Sequence, residues 1–220
     1  FDLYSMMLAM YMGPTPWAGR INFPVRSNFF YDHPLGLAVN YLCCGGAMYP
    51  PIYRQAERRA QNDESLDRIV EMLRQPGQVI GLHPEGTRSK DPDPYKFLPA
   101  QPGAGKMVLA AQPMVVPVFV NGINNDFLGE VRYSWRDIAR RERPIIGVFG
   151  PPSDYSKFLA EKPRPTVYKR CADFLMSKVA ELIPTEQALR AQCVAGQISD
   201  DDPRWLSNRR TVSPLYARRG

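Results

Sequence analysis

The run His83-Pro84-Glu85-Gly86-Thr87-Arg88-Ser89 gathers residue types that bind and orient an anion. Arg88 carries a planar fork of N–H donors matched to a phosphate or carboxylate. Glu85, Thr87 and Ser89 can orient that fork by hydrogen bonding. Gly86 lacks a Cβ and lets the backbone come close to a ligand. On pattern alone, a surface turn with a solvated Arg–Glu pair is an equal reading. Just upstream, Gln78-Val79-Ile80-Gly81-Leu82 reads as a short buried strand. The polar run therefore leaves a strand's carboxyl end, where α/β sheets hold ligands.

The elements that must position this loop follow from periodicity and breakers. Leu66, Ile69, Val70 and Leu73 fall at i, i+3, i+4 and i+7, predicting a helix from about Asn62 or Asp63 to Arg74 that Pro76-Gly77 stops. Further helices are expected over Leu3 to Met12, Pro34 to Cys44, near Gly103–Gln112, and over Thr166 to Ile183. Arg20 to Tyr31 reads as extended, Ala47-Met48-Tyr49 as a short strand, and Met114 to Val120 and Pro144 to Phe149 as strands. Pro84 to Pro99 is a long polar loop. Helices alternating with short apolar strands indicate an α/β layered domain. One domain over residues 1–199 is the economical division, with 200–220 a loose tail carrying Arg204, Arg209, Arg210, Arg218 and Arg219.

The chain has 220 residues, enough for a single core, and no internal repeat. No apolar run approaches the roughly 18–20 residues of a spanning helix, and no secretory signal is visible. A net charge of +6 favours anionic partners such as phosphates or acidic lipid headgroups. The basic residues are scattered without a recognition motif, which argues against nucleic acid. Cys43, Cys44, Cys171 and Cys193, with only two histidines, make a poor metal or disulfide framework and read as reduced, mostly buried thiols.

Glu85-Gly86-Thr87-Arg88-Ser89 resembles the Glu-Gly-Thr-Arg-Ser signature of the glycerolipid acyltransferase family. The resemblance covers roughly Phe1 to Val120, and other motifs agree in order. The family opens with His-x-x-x-x-Asp before an apolar helix. Here Phe1-Asp2 is followed at once by such a stretch, so Asp2 is expected to be the motif's Asp, with its His upstream of Phe1. Read without the family, Asp2 is an ordinary helix N-cap. Neither His33 nor His83 stands at the right spacing from an Asp. Gly46-Ala47-Met48-Tyr49-Pro50-Pro51-Ile52-Tyr53-Arg54 loosely matches the second motif, and Gly103-Ala104-Gly105-Lys106 the family's Gly-Ala helix start. Val115-Val116-Pro117-Val118 matches the apolar strand with a central Pro; such a Pro removes a ladder donor and suits an edge or bulge.

The resemblance implies a mixed β-sheet flanked by helices and transfer of a fatty acyl group to a hydroxyl of a phosphate-bearing glycerolipid such as 1-acylglycerol-3-phosphate. It implies that Asp2 orients the basic imidazole and that Arg54 and Arg88 bind the acceptor's phosphate. Glu85, Gly86 and Thr87 would shape the acceptor pocket, while Val116 and Pro117 would lie on the acyl-donor side. Implied partners are a lysophospholipid acceptor and a thioester donor, acyl-coenzyme A or acyl carrier protein. No metal or resident cofactor is implied. Peripheral attachment to the cytoplasmic face of a membrane is expected, by way of a segment upstream of Phe1. Two other readings stay open: a lipid-headgroup-binding relative without chemistry, and an acyltransferase for a glycolipid or ornithine lipid.

Overall fold

A computed structural model of the chain describes residues 20–43, 50–53, 60–87, 89, 91–122, 129, 132 and 144–208. Strand β1 (Arg20–Asn22) lies parallel to β4 (Gln78–Ile80), with Arg20 opposite Gln78 and Asn22 opposite Ile80. The Gly81 N–H carries this ladder one bond further, onto the Asn22 carbonyl at 2.9 Å. Past Phe23-Pro24 the same stretch changes neighbour, and β2 (Val25–Arg26) pairs in parallel with β3 (Pro51–Ile52). Pro24, which has no N–H to donate, marks the switch. Ile21, Phe23 and Val25 are buried together. β4 itself is half-buried rather than buried.

The extended reading of Arg20 to Tyr31 fails after Arg26. Ser27–Phe30 forms a short helix, α1, and the buried Ser27 accepts the Tyr31 and Asp32 N–H groups on its carbonyl. Phe29-Phe30-Tyr31 is a continuous aromatic run with no period, so it cannot separate strand from helix. Helix α2 (Pro34–Cys43) follows as expected.

Helix α3 (Ala60–Leu73) starts slightly before the predicted boundary and buries Ile69 and Val70. Asn62 fixes its entry by a reciprocal pair: its Oδ1 accepts the Tyr53 N–H (2.8 Å) and its Nδ2 donates to the Tyr53 carbonyl (2.7 Å). Helix α4 (Pro102–Ala111) packs between α3 and α6 (Pro165–Ala180). α4 and α6 approach so closely at Gly105 that a Cβ there would stand 2.0 Å from the Tyr168 carbonyl oxygen. Ala104, Cys171 and Ala172 line the same contact, all buried. Burial pushes the Cys171 thiol up to about 11, and the Cys193 thiol is also raised by burial.

The expected strand Met114 to Val120 starts only at Val118: β5 (Val118–Asn121) runs antiparallel to β6 (Ile146–Phe149), with Val118 opposite Phe149. Pro117 has no N–H for a ladder. Its carbonyl still accepts the Gly150 N–H (2.9 Å), and Val115 accepts that of Ser153 (2.8 Å). Short helix α5 (Ser156–Leu159) leads into α6. The single helix expected over Thr166 to Ile183 is two: α6 ends at Ala180, and α7 (Ile183–Val194) follows with Pro184 in its first turn. Residues 199–208 close in turns, with the Trp205 indole donating to the Ser199 carbonyl (3.0 Å). Helices with small parallel and antiparallel sheets make this an α/β domain.

Candidate functional site

The motif loop begins where β4 ends. Pro84 and Glu85 form the bend of a turn closed by the Gly86 N–H on the His83 carbonyl (2.9 Å). Gly86 has φ +66°, a left-handed conformation that glycine adopts without cost. A Cβ there would also meet Gln101 Cγ at 3.0 Å. Two bonds stitch this turn to the entry of α4. The Gln101 N–H donates to the Pro84 carbonyl (2.7 Å), and the Leu98 N–H donates to Glu85 Oε1 (2.9 Å). Beneath them, Leu82 packs against two buried clusters, one of Ala100, Ala104 and Ala172 and one of Ile69, Val70 and Met107.

Glu85 therefore holds the main chain at Leu98 in place. Burial raises its carboxyl above the usual carboxylate range, against the opposing pull of the Leu98 N–H and the nearby His83. Arg88 lies outside the described residues, but Thr87 and Ser89 on either side of it are described and half-buried.

Beyond Arg88 the loop braces itself. The Ser89 hydroxyl accepts the Asp91 N–H (3.1 Å), Asp91 Oδ1 accepts that of Asp93 (3.1 Å), and Asp93 Oδ1 accepts that of Tyr95 (2.9 Å). These are successive i to i+2 bonds of the kind that make Asx and Ser/Thr turns. Lys96 pairs with Asp91 at 2.8 Å and, with the Asp93 N–H, lowers the Asp91 carboxyl.

At Tyr95 the loop meets a charged group that sequence reasoning missed. Glu186 on α7 is 0 % exposed, yet its carboxylate accepts from Tyr95 Oη (2.8 Å), Asn121 Nδ2 (3.1 Å) and Arg190 Nε (2.7 Å). Burial first, and then the Glu186 carboxylate, raise the Tyr95 phenol, which stays a donor at neutral pH. The i, i+4 spacing of Glu186 and Arg190, just after Pro184, was the available signal. It announced a helix but not that its carboxylate would be enclosed.

The other predicted residues divide plainly. Asp2, Arg54 and Arg88 lie outside the described residues, as do Leu3 to Met12, Ala47 to Tyr49, Cys44 and the arginines from Arg209 onward. Glu85, Gly86 and Thr87 share the motif loop. Val116 and Pro117 sit in the segment entering β5, Val116 exposed and Pro117 buried. Gly105 of the Gly-Ala helix start serves the α4–α6 contact, and Lys106 is paired with Asp63 on α3 at 2.6 Å. Among the described residues there is no cluster of His, Cys, Asp or Glu that could hold a metal, and no helix is long and apolar enough to cross a membrane.

Comparison with known proteins sets the motif loop inside a recognised pattern. A family model described as Acyltransferase matches residues 2–121, a span running from the N-terminal Asp to the last residue of β5. No curated protein and no solved structure matches the chain. Helices α5, α6 and α7, with Glu186, fall outside the matched span.

Proposed function

The chain belongs to the acyltransferase family, and from that premise we propose that it moves a fatty acyl group from a thioester donor to a hydroxyl of a phosphate-bearing glycerolipid such as 1-acylglycerol-3-phosphate. The observation that carries the reading is the Glu85–Ser89 run, held by Gly86 and Glu85 on the carboxyl end of β4 within the matched span. In this reading Arg88 and Arg54 bind the acceptor phosphate bidentately or as a pair of cations, so that the acceptor hydroxyl faces the base. The base is the imidazole that the family motif sets five residues before its Asp, and Asp2 orients that ring.

The imidazole takes the hydroxyl proton as the oxygen attacks the thioester carbonyl. The tetrahedral intermediate collapses to the ester, and the thiolate leaves and takes up the proton. No acyl-enzyme is needed, because the thioester is already activated and the pocket supplies proximity. The donor is acyl-coenzyme A or acyl carrier protein, with the Val116-Pro117 segment on its side. Work at the cytoplasmic face of a membrane suits the lysophospholipid acceptor and the net charge of +6.

The test is incubation of the full-length protein with 1-acylglycerol-3-phosphate and a fatty acyl thioester, with the products read by mass spectrometry. A new diacylglycerol phosphate supports the reading. Tight lysolipid binding with no turnover of either thioester overturns it in favour of a headgroup-binding protein without chemistry.

A further inference from the structure

We propose that the cluster of Tyr95, Asn121 and Arg190 around the buried Glu186 carboxylate is a positioning device, through which helix α7 sets the geometry of the motif loop and so the placement of the acyl acceptor. Three separate stretches of chain meet at one carboxylate. Tyr95 comes from the polar loop, Asn121 from the end of β5, and Glu186 and Arg190 from α7. Arg190 Nη1 reaches on to the Pro144 carbonyl at 3.2 Å, at the entry to β6. Asn121 spends its Oδ1 on the Gly122 N–H (2.7 Å), so its amide is held at both ends.

An ion pair with its carboxylate enclosed and its guanidinium half-buried, as in Glu186 and Arg190, is a poor source of net stability compared with apolar side chains of the same volume. Its directional bonds instead hold one geometry, where the rings of Tyr95 and Phe97 against Phe119 allow sliding. The position of Tyr95 matters because the chain on both sides of it runs to the motif turn. Three residues after Tyr95 the Leu98 N–H is bonded to Glu85, and three further on the Gln101 N–H is bonded to Pro84. On the other side, side-chain bonds link Tyr95 to Asp93, Asp93 to Asp91 and Asp91 to Ser89, the sequence neighbour of Arg88. Tyr95 is the outer anchor of a strap that is bonded to the motif turn at Glu85 and Pro84. Glu186, the carboxylate that Tyr95 is bonded to, lies on α7 and outside the span matched by the family.

The test uses the full-length protein and Tyr95→Phe, which removes one hydroxyl and keeps the ring. Glu186→Ala is the less decisive variant, since it leaves the Arg190 guanidinium facing an empty site and disturbs α7 itself. In Tyr95→Phe, amide exchange at Leu98 and Gln101 is expected to speed up by about tenfold or more, the loss of one hydrogen bond to a charged group, while α6 amides such as Cys171 and Leu175 keep the parent rate. The kinetic readout rests on the acceptor proposed above: KM for 1-acylglycerol-3-phosphate rises by about tenfold and KM for the thioester holds. Unchanged exchange at Leu98 and Gln101, or uniform acceleration that includes α6, overturns the proposal. An unchanged acceptor KM in an active enzyme overturns it as well. Selective loosening of Leu98 in a protein that does not acylate 1-acylglycerol-3-phosphate supports the strap and overturns only the choice of acceptor.

Discussion

Replacing Gly105 by alanine tests whether α4 and α6 meet through bare backbone. The added Cβ would lie 2.0 Å from the Tyr168 oxygen, 2.8 Å from its carbonyl carbon and 3.1 Å from its Cα. An ordinary carbon–oxygen contact is about 3.3 Å, so one helix must retreat by roughly 1.3 Å. All three crowding atoms are main chain, and no rotamer change relieves them. Ala104, Cys171 and Ala172 at the same seam are already buried and leave no slack. Overpacking of this kind costs about 1–3 kcal/mol, against a helix-propensity gain of at most about 1 kcal/mol for alanine over glycine. Because every crowding atom is main chain, the cost falls at the upper end of that range, and the net loss of about 2 kcal/mol lowers the melting temperature of a domain this size by about 4–8 °C. Gly103→Ala is the internal control: its nearest neighbour is Leu66 Cδ1 at 3.9 Å, an ordinary contact, so it should be no less stable than the parent and gain up to about 1 kcal/mol of helix propensity. Thermal and urea unfolding of the two variants decide it. Gly105→Ala as stable as the parent, or Gly103→Ala equally damaged, refutes the reasoning.

Two further outcomes concern the motif loop. Gly86→Ala must hold alanine at φ +66° with its Cβ 3.0 Å from Gln101 Cγ; a loss of about 1–2 kcal/mol in urea unfolding is expected, and a stabilised variant contradicts it. The Glu85 carboxyl is raised by burial, so the folded state binds that proton more tightly than the unfolded chain. Its contribution to stability is present below the unfolded value of about 4.3 and is lost as pH rises through the folded value. Glu85→Gln keeps an oxygen for the Leu98 N–H and removes the titration, so melting temperatures compared between pH 4 and 7 should shift in its favour as pH rises. A difference that is flat or of opposite sign rules this out.

Much of the frame was legible because it rests on local signals. The spacing of Leu66, Ile69, Val70 and Leu73 marked α3, the Pro76-Gly77 stop preceded β4, and the motif loop stood out by residue type. The hidden features depended on contacts distant in sequence. Pro184 sits where a helix begins, but the apolar spacing of Phe174, Leu175, Val179 and Leu182 ran up to it and concealed the break between α6 and α7. Glu186 drew no reading of its own, because nothing near it in sequence announces that Tyr95 and Asn121 will close over it. Gly105 read as part of a helix start, while its need for a missing side chain comes from Tyr168. Glu85 was expected to shape an acceptor pocket; its Oε1 is engaged by the Leu98 main chain, which ties the motif turn to α4.

In the proposed mechanism the loop after β4 grips the phosphate of an acyl acceptor. The most direct measurement compares kcat/KM for 1-acylglycerol-3-phosphate with that for the phosphate-free monoacylglycerol, in the full-length protein and in Arg88→Ala. The account predicts that the parent favours the phosphate-bearing acceptor and that Arg88→Ala loses about 10–100-fold on that acceptor, as a charge-assisted bond to phosphate implies, with little change on the other. Equal use of both acceptors by the parent, or an unchanged ratio in Arg88→Ala, contradicts it.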